Sequence, residues 1–225
     1  MFKEVWKALI RFSRRKEGIR MKGRAAIFFI VFSFVAVLFG CAESRIYLMD
    51  IEYIQEEEAP PTSKTVGICP FQDAREEKEK DTIGTRYRPR NRVDLIKLKE
   101  VTLSESVTQA VKDYFVERGF EVTDCKGWDK TAEGLDRLPR DLSLVVGGKI
   151  DSFMVEARSG VTVTETRYTV KMDAFIGQVE ERNLVIRSIE SAPRLKKVSF
   201  DMEEVRAQFN STLTEVIQKL FEGKY

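Results

Sequence analysis

Between Leu142 and Phe200 the chain carries three long stretches of alternating character, and no other feature restricts its fold as much. They are "LSLVVGGKIDSFMVE" (142–156), "GVTVTETRYTVKMDAFIGQV" (160–179) and "RNLVIRSIESAPRLKKVSF" (182–200). In the second, Tyr168, Val170, Met172, Ala174 and Ile176 alternate with Thr169, Lys171, Asp173 and Phe175. That is the period of a strand with one face buried, with Phe175 as the exception. Residues 178–183 form a tight polar turn, so these strands read as meandering hairpins. Gly147-Gly148 marks a bulge or a close backbone approach, and Pro193 breaks or bulges the third strand.

Helical spacing flanks this block. Leu103, Val107, Ala110, Val111, Tyr114 and Phe115 form one stripe over 102–118. Thr102 and Glu105 have capping-box spacing, and Gly119 suits the helix end. Over 202–221 the apolar face is Val205, Phe209, Leu213, Val216, Ile217, Leu220 and Phe221, with Asp201 as N-cap. "KTVGICPF" (64–71) and "FEVTDC" (120–125) read as short strands. Residues 72–100 are highly charged and read as a long loop whose tail "VDLIKL" adds a short strand. Residues 126–141 read as a polar connection, with Trp128 as a partly buried loop aromatic or a surface anchor. The order is β-α-β, then a three-stranded meander, then α. This predicts an α+β domain with a mixed, mostly antiparallel sheet and two helices packed on one face.

In a right-handed β-α-β unit both strands run the same way. Cys69 closes the first short strand and Cys125 the second, so neighbouring strands would bring the thiols together. The pair is a disulfide candidate, and two buried apolar thiols are the alternative.

The front of the chain is of another kind. Residues 25–40 hold no charge and follow Lys22 and Arg24. The run is short for a membrane span, which needs roughly 20 residues, and has the layout of a secretory signal. Its end, Leu38-Phe39-Gly40-Cys41, resembles the lipobox of bacterial lipoproteins. That resemblance implies cleavage between Gly40 and Cys41, acylation of Cys41 and a lasting anchor, because stable anchoring takes more than one acyl chain. Ala42 follows, with no Asp there to favour inner-membrane retention, so the implied location is the periplasmic face of the outer membrane. Lys16-Glu17-Gly18 is codable as a ribosome-binding stretch two codons before Met21. Residues 1–20 therefore read as an extension upstream of the true start, 21–40 as the signal peptide, 41–63 as acylated terminus and tether, and 64–225 as one periplasmic domain. The apolar tether residues Ile46, Tyr47, Leu48, Ile51, Tyr53 and Ile54 would pair as an edge strand or lie on the membrane.

Composition narrows the function. Residues 1–40 hold nine Lys/Arg and two Asp/Glu, leaving 29 basic and 34 acidic residues from Cys41 onward. A net charge of −5 argues against nucleic acid as partner. The chain has no histidine. That excludes Ser-His-Asp and Cys-His catalysis and His-ligated metal sites. No P-loop, G-x-S-x-G or C-x-x-C is present and no carboxylate pair stands out, so no enzyme, cofactor or metal is expected.

With these features in place, the layout resembles the YajG-type bacterial lipoproteins. The matching residues are Asp73 and Arg75 in "FQDAR", Ile83, Gly84 and Arg86 in "TIGTR", and Arg118-Gly119-Phe120 at a helix end. The resemblance implies an envelope location and no reaction. Asp73, Arg75 and Arg86 form either an ion-pair knot or a partner-binding surface. "RYRPRNR", with Arg86, Arg88, Arg90 and Arg92, is either a recognition loop for phosphate or carboxylate or a solvated loop paired with "REEKEKD". The expected function is a membrane-anchored, non-enzymatic envelope interaction or assembly module with a protein partner. The alternative is a lipid or small-ligand carrier, or an auxiliary lipoprotein of a transport system. An apolar pocket between helix 202–221 and the sheet would favour the carrier, and an exposed edge strand or basic loop the partner-binding module.

Overall fold

One strand organises the sheet. In the computed structural model, which describes residues 44–55 and 59–223, β7 (Leu144–Ser159) is paired along its whole length on one edge and over three separate stretches on the other. The start at Met21, the signal run and the Gly40–Cys41 cleavage and acylation site lie outside the described residues.

On one edge β7 pairs antiparallel with β8 (Thr164–Gln178), with a bulge between Ile150 and Ser152. β8 in turn carries β9 (Asn183–Ser191) and β10 (Arg194–Lys197) on its far side, both antiparallel. Pro193 falls in the gap between β9 and β10, where its missing N–H costs no ladder bond, and its carbonyl accepts from the Tyr168 amide. On the other edge three strands line up parallel to β7: β2 (Thr65–Ile68), β3 (Gln72–Asp73) and β4 (Thr82–Arg88). β6 (Glu121–Asp124) flanks β2 in parallel. β5 (Arg92–Leu98) pairs antiparallel with β4, and β1 (Ile46–Met49) runs parallel to β5 at the edge. The sheet is thus mixed and strand-rich. Its antiparallel ladders are long and its parallel ladders short.

Helices α1 (Leu103–Glu117) and α2 (Met202–Leu220) cover one face. The Thr102–Glu105 capping box is formed, and Asp201 accepts from the Glu203 amide. Phe153 and Phe209 meet at 4.5 Å between centroids, and Tyr114, Phe115 and Phe221 join the helix ends. Gly148 permits a close approach, because a Cβ there would lie 2.2 Å from the Phe71 ring and 2.4 Å from the Asp173 carbonyl. The bulge sits beyond the glycine pair.

Three segments differ from the sequence reading. Residues 72–100 are largely a strand and a hairpin, since Thr82–Arg88 pairs on both sides. Its charge hides the strand: Arg86 and Arg88 are in-phase with a buried acid on β5, so polar side chains occupy positions that apolar ones hold elsewhere. The hairpin turns through Arg90 and Asn91 at φ 66° and 55°. Second, the expected tether is part of the domain from Ser44 onward. β1 is an edge strand, and Met49, Ile51 and Tyr53 are buried. The Ile54 and Glu52 amides bond to Thr214 and Asn210 of α2. Third, residues 126–141 cover one part of the second face. Trp128 and Leu135, the latter in a 3-10 turn (Glu133–Arg137), lie on Val145 with the two cysteines in a separate small core. Phe175, out of phase with its strand's apolar face, packs against this second core.

Candidate functional site

The residues expected to form one ion-pair knot fall into two groups. In the first, Arg75 is only 3% exposed. Its Nε and Nη2 donate to the Asp73 carboxylate at 3.0 Å each. Nη1 donates to the Thr82 and Phe153 carbonyls, at 3.0 and 3.3 Å, and Nη2 to the Lys80 carbonyl at 2.7 Å. Lys80 bonds back to the Arg75 carbonyl. Every donor of the fork is thus spent on closing the segment 74–81 over the sheet, and Arg75 is out of reach of a partner.

Burial pushes the Asp73 carboxyl up, but hydrogen bonds and charge from Arg75, with help from Lys80, pull it further down, and the net shift is below the ordinary carboxylate range. A depressed folded-state value makes a contribution that is complete above the unfolded value and lost as pH falls through the folded one. The stability advantage of the native chain over Asp73→Asn is therefore expected to be constant near neutrality and to shrink in acid. Urea titrations at stepped pH check this.

Arg86 belongs to the second group. The buried Asp94 of β5 accepts from Arg88 Nη2 at 2.7 Å and from the Arg45 amide at 3.0 Å, with Arg86 Nη1 at 3.9 Å. Arg86 also donates to Ser159 Oγ at 2.9 Å and lies 4.1 Å from the Phe200 ring centroid. Asp94→Asn leaves two guanidinium groups around a neutral amide. The expected loss is about 3 kcal/mol, at the low end for breaking a buried pair because both arginines keep some water. Chemical denaturation of the variant tests it. Asp94 was legible only as an acid in phase with Ile96 and Leu98.

Arg90 is exposed at the hairpin turn and Arg92 half-buried at its base. This turn shares one end of the sheet with two other features. Tyr87 of β4 lies opposite Arg158 of β7, so the 89–91 turn adjoins the 160–163 turn. Lys197 of β10 lies opposite Thr164, which brings the end of β10 to the same place. Val161 is 98% exposed and Val198 86% exposed there. The same end holds an open groove of about 780 Å³ lined by Arg88, Pro89, Arg158, Val163, Glu165 and Lys196 among others. Arg158 pairs with Glu156, Lys196 with Glu165 and Lys197 with Glu204. The "REEKEKD" acids turn elsewhere, Glu79 and Asp81 to Lys97. The hairpin arginines of this end are legible in the sequence, but Arg158 and the valines are not, because only the topology brings these segments together.

A second open groove, of about 850 Å³, lies at the helix ends among Tyr114, Phe115, Arg118, Phe120, Glu215 and Phe221. The α2–sheet interface itself is filled: Val205, Phe209, Leu213, Val216, Ile217 and Leu220 are all buried.

Cys69 and Cys125 are linked, with Cα atoms 4.5 Å apart, beneath Trp128. Their strands β2 and β6 are parallel neighbours, with Ile68 opposite Asp124. Among the described residues no group of three or more His, Cys, Asp or Glu is placed to hold a metal ion, and no helix is long and apolar enough to cross a membrane.

No family model and no curated protein matches the chain. Solved structures do. A Xanthomonas campestris protein of family DUF330 is 15% identical, with a TM-score of 0.50 over 78% of this chain and 91% of that one. This likeness is one of fold. Looser similarity, with TM-scores of 0.41 and 0.37, extends to PelC of Paraburkholderia phytofirmans, solved as a dodecamer, and to lipoprotein GNA1162 of Neisseria meningitidis. PelC is 11% identical over 76% of this chain and 96% of its own, and GNA1162 8% identical over 68% and 97%.

Proposed function

We propose that the chain is a periplasmic lipoprotein, anchored through Cys41 in the outer membrane, that serves as a non-enzymatic interaction or assembly module of the envelope. The observation that carries this reading is the closeness of anchor and domain. The lipobox-like Leu38-Phe39-Gly40-Cys41 ends three residues before Ser44, where the folded unit begins. The helix–sheet interior is filled with side chains, which leaves the surface for function. That surface offers exposed edge strands, which suit a protein partner better than an enclosed ligand. The envelope placement agrees with the YajG-type resemblance of "FQDAR" and "TIGTR".

Intact-mass analysis of the native protein from detergent-solubilised membranes tests the reading, with crosslinked partners identified from the same preparation. The expected mass is that of residues 41–225 plus acyl chains, with one dominant crosslinked envelope protein. An unacylated mass that retains residues 21–40 would remove the anchor and the proposed function with it.

A further inference from the structure

We infer that the end of the sheet bearing the 89–91 and 160–163 turns rests on the membrane surface, its cations against anionic lipid phosphates and its exposed valines in the headgroup layer. The inference rests on the lipoprotein reading and adds an orientation and a lipid chemistry to it.

Three observations carry it. The first is where the chain enters. The Leu95 amide donates to the Arg45 carbonyl, and Ile46 lies opposite Leu95 on the parallel β5. At Arg45 the chain therefore lies back along β5 on the side of Arg92 and the 89–91 turn. The second is the length of the leash. Four residue steps lead from Cys41 to Arg45, a reach of at most about 14 Å. An acylated Cys41 thus holds the membrane close to this end. The far end of the sheet, where Glu180 and Glu181 are exposed in the 179–182 turn, lies about 50 Å away along the 15 residues of β8.

The third is the chemistry of the near end. It gathers Arg86, Arg88, Arg90, Arg92, Arg158, Lys196 and Lys197 against Asp94, Glu156, Glu165 and Glu204. The excess is positive in a chain whose part from Cys41 onward is net negative. Val161 and Val198 protrude from the same end with almost no protein contact. Arginine forks fit phosphate oxygens, and small apolar tips beside them fit the headgroup boundary. A protein partner could use the same cations, but it would not explain why the leash enters there.

The test uses the full acylated protein in proteoliposomes, with a single label at Val161→Cys or at Glu180→Cys and a collisional quencher attached to lipid headgroups. Flotation with the vesicles reports the anchor separately. In phosphatidylcholine containing phosphatidylglycerol, the Val161 label should be quenched strongly and the Glu180 label hardly at all. Arg90→Gln and Arg158→Gln, both exposed, should each lower the docked population by about fivefold. Raising the salt should do the same as screening tightens. Equal quenching at the two labels, or Val161 quenching indifferent to phosphatidylglycerol and salt in protein that floats, overturns the inference and leaves the anchor standing. Protein that fails to float overturns the lipoprotein reading first and the orientation with it.

Discussion

Replacing Arg75 by alanine is expected to cost about 4 kcal/mol of folding stability, the largest effect of any single polar substitution in this domain. The reason is arithmetic of partners. One guanidinium serves the Asp73 carboxylate twice and three backbone carbonyls, of Lys80, Thr82 and Phe153. Removal leaves a largely buried carboxylate with only the half-exposed Lys80, at 3.6 Å, as counter-charge, and carbonyls without donors. The loss should fall unevenly. Segment 74–81 and the start of β4 should open first, because Arg75 ties both to β7. Arg75→Lys retains the charge but not the planar fork, so it should recover only part of the loss. Urea unfolding of both variants gives the magnitudes, and amide exchange of residues 74–82 gives the location. A loss under about 1 kcal/mol would mean the pair behaves as an exposed one.

The second large effect is that of the disulfide. The Cys69–Cys125 link spans 56 residues. Closing a loop of that length stabilises by about 4 kcal/mol in the chain-entropy model. The pair Cys69→Ala/Cys125→Ala should lose most of that, with little change in the folded structure, because alanine fits beneath Trp128 with a small void. Intact mass after alkylation without reductant should show neither thiol modified. A mass gain for two alkyl groups would assign both cysteines as thiols, and reductant would then leave the midpoint of unfolding unchanged.

The parts of the fold that the sequence revealed share one property: their side chains alternate or recur by hydrophobicity. Tyr168 to Ile176 and Leu103 to Phe115 are such runs, and both took the expected form. β4 escaped because its helix-side positions are Gly84, Arg86 and Arg88, whose partner Asp94 lies on the next strand. No local pattern shows that an arginine is buried. β1 is legible only as an edge strand or a membrane face, because its four residues, with Ile46 and Leu48 exposed, do not alternate toward a core. The 126–141 flap escaped because only a few scattered apolar side chains, Trp128, Leu135 and Leu138, pack against the second face. For the candidate site, the arginines could be named from the sequence. Their division into an Asp73 group and an Asp94 group could not, since it depends on which strands are neighbours.

β7 has a consequence for how the domain comes apart and comes together. Its partners stretch from Thr65-proximal β2 to β8, so no edge of the sheet can form completely before distant parts of the chain have met. Such non-local pairing slows folding relative to helical domains of similar size. Once formed, the amides of β7 are shielded from both sides and open only with the whole domain. The ends of β1, β6 and β9 each lean on a single neighbour and can fray alone. A chain that emerges from its N-terminus presents β2, β3 and β4 first, and these must wait for β7, more than forty residues behind β5, before their shared edge exists.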